Sequence, residues 1–274
     1  VTVPSEVARA IAVALPAGQT LDRLLGAQPR APFAPETLAF VEDLGRRLRA
    51  DPASRRFPEL VALGFWARGA SLARLKQRFE AAYPGTVRLP RGLAFHVAPS
   101  NVDTIFVYSL LLSMLAGNVN LVRVSSRSGD QSGHLMAVLG QALAEGPAAI
   151  GQSVAIVRTP HDRAVIDWLS ARADIRIVWG GDETVGRIRQ SMLSPGGTEL
   201  VFPNRTSLAV FDAAAWLAET DKPGVARRFV NDSLWFGQMA CSSPRALVWR
   251  GSEAEAAEAS ASFWPAVDAA AAEA

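Results

Sequence analysis

GLAFHVAPSNVDTIFVYSLLLSMLAGNVNLVRV, residues 92–124, decides the fold. Residues 92–97 are a short, continuous apolar run holding one histidine, the pattern of a strand buried on both faces. Residues 104–115 are apolar and long enough for a helix, and 119–124 return to a strand pattern rich in valine and leucine. Strand, helix, strand in so few residues is a βαβ unit, which requires parallel pairing.

Working outward, the rhythm repeats. Strand patterns fall at 153–157, 175–179 and 207–211, and helical patterns at 131–144, 162–171 and 183–192. This predicts an α/β fold with a doubly wound parallel sheet. Upstream, residues 1–90 are mostly helical. Pro35-Glu36-Thr37 opens one helix, Asp51-Pro52 ends it, and Pro58-Glu59 opens a second apolar pattern running to Phe79.

Composition narrows the function classes. The chain has 274 residues, 49% hydrophobic and 20% charged, with 28 basic and 26 acidic side chains and a net charge of +2. That balance gives no reason to invoke nucleic acid or an anionic membrane as partner. A single cysteine excludes a disulfide scaffold and fits a reducing cytoplasm. The N-terminus lacks a signal-peptide pattern, and the apolar run 105–116 is too short for a membrane span. His96, His134 and His161 are scattered, so no metal site is expected; His96, within a strand, reads as a packed core histidine. The Ala/Glu-rich helical pattern at 252–274 stops without a cap, and the chain begins on Val1, as expected of a fragment of a longer protein.

In doubly wound sheets, ligands bind beyond the carboxyl ends of the strands, so the loops there carry the functional candidates. Trp179-Gly180-Gly181-Asp182-Glu183-Thr184 joins a strand to a helix. Its glycines permit close backbone approach to a phosphate, or simply make a turn before an acidic first helical turn. Arg123-Val124-Ser125-Ser126-Arg127 offers cations and hydroxyls suited to ribose and phosphate groups, with Arg127 placed to meet a 2′-phosphate, or is a solvated polar loop. Asn101 either donates to an oxyanion or caps the following helix. Cys241, the lone thiol, lies among glycine and small polar residues with Arg245 four positions on, a setting that favours a reactive thiolate over inert packing.

These stretches together resemble the acyl-CoA reductase family of the LuxC type, within the aldehyde dehydrogenase superfamily. The resemblance rests on 63–68 (LGFWAR), 95–102 (FHVAPSNV), 115–123 (LAGNVNLVR), 175–189, 202–207 (FPNRTS) and 235–244, in order. It implies a helical segment at 1–90 packing on an NAD(P)-binding Rossmann-like domain at 91–230. Residues 231–274 would then begin a catalytic domain that is truncated here. Cys241 would be the nucleophile and Asn101 the oxyanion-hole amide. Gly180, Gly181 and Thr184 would lie beside the cofactor's phosphates, and Arg123, Ser125, Ser126 and Arg127 near its adenosine ribose.

The implied cofactor is NADPH, and the implied substrate a long-chain fatty acyl-CoA or acyl-protein thioester, or a shorter acyl-CoA. A homo-oligomer is implied for the full-length enzyme, with an acyl-transferase or synthetase as candidate partner. A non-catalytic nucleotide-binding fragment is the alternative. Two departures from the superfamily stand out. The general-base glutamate is missing: aligning Arg205 with the usual lysine puts Val201 at the base position, with Glu199 two residues away. Cys241 also follows Gln238 by three positions, one more than usual.

Overall fold

The computed structural model describes residues 3–98, 104–124, 129–159 and 162–273. Helix α1 (Ser5–Ala10), strand β1 (Ala12–Leu15) and helix α2 (Leu21–Gly26) precede three helices, α3 (Pro35–Ala50), α4 (Pro58–Trp66) and α5 (Gly69–Ala81). The alternating section then runs β2 (Leu93–Val97), α6 (Ile105–Leu115), β3 (Val119–Val124), α7 (Asp130–Glu145) and α8 (Ala148–Gln152). It continues with β4 (Val154–Arg158), α9 (Arg163–Ser170), β5 (Ile175–Trp179), α10 (Asp182–Arg189) and β6 (Thr198–Phe202).

Among the described residues these strands form one six-stranded sheet in the order β1-β4-β3-β2-β5-β6. Every pairing is parallel except β1 on β4, which closes one edge antiparallel. Helices cover both faces. One face packs Val122 and Ile156 under Val41, Leu44, Leu110 and Leu139. The other packs Phe95, Leu121 and Val178 under Leu24, Val165 and Ile188. Burial on both sides explains why β2 to β5 are rich in apolar residues on both faces, with His96, Asn120, Arg123 and Arg176 as buried polar exceptions.

The remaining elements are β7 (Ser207–Asp212), α11 (Ala213–Ala218), α12 (Lys222–Leu234), β8 (Pro244–Arg250) and α13 (Glu253–Ala272). The predicted fifth strand at 207–211 is real, but it is not in the large sheet. It pairs in parallel with β8 as a separate two-stranded sheet. The place beside β5 belongs to β6, and Pro203, which has no N–H to give a ladder, ends that strand. Compactness divides the chain at this point, into Val1–Pro203 and Asn204–Ala274, whereas the sequence places domain boundaries at 90 and 230. In the smaller unit Phe263 is fully buried, with the rings of Phe211, Trp216 and Trp249 at 5.0, 5.0 and 5.4 Å.

The apolar pattern predicted as one helix over 58–79 is two, broken at Ala67-Arg68. The second begins at Gly69, where a Cβ would fall 2.6 Å from a carboxylate oxygen of Glu42 on α3. Gly64 on α4 faces Gly45 on α3 across a close crossing: a Cβ on Gly45 would sit 2.7 Å from the Cβ of Ala67 and 3.1 Å from the carbonyl of Gly64. Two helices approach this closely only where side chains are absent.

Candidate functional site

The strand order sets where a ligand can enter. From β2 the chain crosses to β3 on one side, continues to β4, and later returns to β5 on the other side of β2. That reversal is a topological switch point, and the carboxyl ends of β2, β3 and β5 stand side by side around it. The register fixes this alignment, pairing Val97 with Arg123 and with Val178. Beyond β2, the Ala98 N–H still donates to the Arg123 carbonyl at 3.0 Å.

Arg123 lies near the end of β3 and is buried. Its Nε donates to Thr159 Oγ1, just past the end of β4, at 2.9 Å. Burial lowers the pKa of the guanidinium below its ordinary value, the direction expected for a cation drawn out of water. From β5 the chain turns through Gly180 and Gly181 into α10, with Gly181 as N-cap. Gly180 is small because the helix folds back over it: a Cβ there would meet Thr184 Cγ2 at 3.0 Å. Backbone N–H groups at a helix start, a threonine hydroxyl and a buried cation, at strand ends on either side of β2, are a donor set that fits the phosphates and ribose of a dinucleotide. Asn101, Ser125, Ser126 and Arg127 lie outside the described residues.

Cys241 belongs to the smaller unit. A short 3₁₀ turn (Trp235–Gln238) follows α12, and Gly237 and Gln238 both take positive φ, 57° and 63°. Glutamine is uncommon there. A tight turn closed by the Ser243 N–H on the Ala240 carbonyl at 3.0 Å then presents the Cys241 side chain to solvent. Ser207 Oγ, at the start of β7, donates to the Cys241 carbonyl at 2.7 Å and fixes the turn to the sheet. Arg245 is exposed at the start of β8. Beside the turn is a cavity of about 270 Å³ whose walls include Phe229, Leu234, Leu247, Trp264 and Val267. Sequence reasoning missed Ser207, because a serine opening a strand carries no pattern of its own.

Glu199 is committed elsewhere. Its carboxylate bonds Arg176 at 2.6 Å and Arg189 at 2.7 Å. Burial pushes its pKa up, but the hydrogen bonds from Arg189 and Arg176 outweigh that and hold it below the usual carboxylate range. A carboxylate so held is a poor proton acceptor. Val201, two residues on, packs into the core beneath α9 and α10. Among the described residues no cluster of His, Cys, Asp and Glu could hold a metal ion.

The acyl-CoA reductase (LuxC) family profile matches residues 70–271, most of the chain. The chain belongs to this family. It is 27% identical over 166 residues to the long-chain acyl-protein thioester reductase of Aliivibrio fischeri, a match covering 59% of this chain and 33% of that protein. The matched stretch thus covers about a third of the length of that relative. Solved aldehyde dehydrogenases share its fold. That of Physcomitrella patens (ALDH21) superposes with a TM-score of 0.58 at 15% identity, over 90% of this chain and 55% of that one. An indole-3-acetaldehyde dehydrogenase of P. syringae, solved with NAD+, gives 0.59 at 14% identity, over 86% and 48%.

Proposed function

We propose that this chain is the nucleotide-binding and nucleophile-bearing portion of a long-chain acyl thioester reductase that forms fatty aldehydes. The observation that carries the reading is the exposed Cys241 thiol on a turn pinned by Ser207, in a chain of this family. The Cys241 thiolate attacks the thioester carbonyl of a fatty acyl-CoA or acyl-protein. The Asn101 amide and the Cys241 backbone N–H stabilise the oxyanion. The C–S bond to the carrier breaks, the carrier leaves as thiol after taking up a proton, and a cysteinyl thioester remains. Arg123, Ser125, Ser126, Arg127, Gly180, Gly181 and Thr184 would hold NADPH, whose chemistry would be the hydride that reduces this thioester. Collapse then releases aldehyde and restores the Cys241 thiolate.

In this reading Arg127 would meet the cofactor's 2′-phosphate. The state of Glu199 supports reduction over hydrolysis, because the one carboxylate of β6 is paired with two arginines and is not available to activate water. The apolar cavity beside the Cys241 turn supplies surface suited to an acyl chain. The same reading places the enzyme in the cytoplasm, as a homo-oligomer at full length served by an acyl-transferase or synthetase. The test follows NADPH oxidation with acyl donors from butyryl to palmitoyl, on CoA and on a carrier protein, with aldehyde trapped as product. Rates that rise with chain length and vanish in Cys241→Ala are expected; oxidation independent of Cys241 would refute the scheme.

A further inference from the structure

His96 is wholly buried in the centre of the sheet and no step above uses it. Its ring stands between two partners: Nδ1 is 2.9 Å from Ser109 Oγ on α6, and Nε2 is 3.1 Å from Asn120 Oδ1 on β3. The direction of each bond follows from the partners. Asn120 Nδ2 donates to the Asn118 carbonyl at 2.7 Å, so its Oδ1, which can only accept, faces the histidine. Nε2 therefore carries the proton and Nδ1 accepts from the Ser109 hydroxyl. Ser109 Oγ in turn accepts from the Trp179 indole N–H at 3.1 Å.

The far end of this relay is the last residue of β5, one step before Gly180. There the Trp179 ring is also stacked on Phe202, centroids 3.7 Å apart and 9° from parallel. The near end is equally fixed: Asn118 Oδ1 accepts the backbone N–H of Arg91 at 2.8 Å, at the entry to β2.

We propose that His96 is a positioning residue for the cofactor turn: held as its Nε2–H tautomer by Asn120, it orients Ser109, which holds the Trp179 indole and so the point from which Gly180-Gly181 enters α10. That the turn serves a cofactor rests on the function proposed above; the relay itself does not. Burial takes the pKa of His96 down to about 4, so the ring is neutral where the protein works and the relay keeps one direction.

Two variants of the 274-residue chain test it. Ser109→Ala removes the link, and Trp179→Phe removes only the indole N–H while keeping a ring to stack on Phe202. In either folded variant, hydrogen exchange at 179–184 should rise about tenfold relative to β3 and β4, the scale set by one lost buried hydrogen bond. NADPH affinity should fall by a similar factor. Ring ¹⁵N shifts of wild-type His96 should report the neutral Nε2–H form. Exchange that is unchanged at 179–184, or that rises equally throughout the sheet, would overturn the proposal, as would an Nδ1–H tautomer. If exchange responds as expected but the wild type binds no NADPH, the cofactor reading fails and the positioning role stands.

Discussion

At the residue scale, the polar groups buried in the larger unit make it sensitive to acid, each in its own pH window. His96 has a native pKa near 4 against an ordinary 6.5, so below 6.5 the unfolded chain takes a proton that the native state refuses. Stability should fall by roughly 3 kcal/mol between pH 6.5 and 4 from this group alone. Urea midpoints of wild type and His96→Asn, followed across that window, should therefore converge as pH falls. Glu199 shifts in the same direction, over a lower pH window. Its native pKa is depressed, so its contribution is full above about 4.5 and is lost as pH drops through the lower native value. Glu199→Gln should cost roughly 3 kcal/mol at neutral pH, because it leaves the buried Arg176 without its counter-charge. The same change should leave the rate of hydrolysis of the acylated Cys241 thioester unchanged, which separates Glu199 from a general base. Both residues are visible in the sequence, and the reading of His96 as a core histidine agrees with its burial. Their partners are not visible, because Ser109, Asn120, Arg176 and Arg189 reach them only through strand register and helix docking.

At the element scale, some residues that carry the family resemblance are there for packing. Gly64, in the LGFWAR stretch, lets α4 cross α3 at Gly45. Gly45→Ala should destabilise the larger unit by about 2 kcal/mol, since its new methyl must displace Ala67 or the α4 backbone. Thermal melts of that variant beside Ala67→Gly and the double variant would show partial rescue. Gly180→Ala presses instead on Thr184, and should weaken NADPH binding more than it lowers the melting temperature. The four central strands were legible because burial on both faces makes them short segments rich in valine, isoleucine and leucine. Strand β6 was not: Thr198 and Glu199 break the pattern, and Glu199 is tolerated inside only through its two arginines. Strand β1 was missed for a related reason, since an edge strand of four partly exposed residues leaves little periodicity. The helix break at 67–68 falls within a continuous apolar pattern, and the space beside Gly69 is filled by Glu42 of α3, a tertiary neighbour no local propensity signals.

At the scale of the whole molecule, the strand order produces a switch point flanked by Arg123 and the Gly180-Gly181 turn, and a separate unit presents Cys241 at the tip of a turn. The loops were located from the alternation of elements alone. The role of each residue within them came from the family resemblance, because a glycine pair or a lone cysteine is chemically ambiguous until its surroundings are known. The central claim is that Cys241 is the acyl acceptor. It is tested most directly by the intact mass of the 274-residue chain after incubation with a long-chain acyl-CoA, beside Cys241→Ala. One acyl group gained by the parent and none by the variant is the predicted result. An equal gain in both would assign the nucleophile elsewhere, and no gain in either would contradict the chain's competence for acyl transfer.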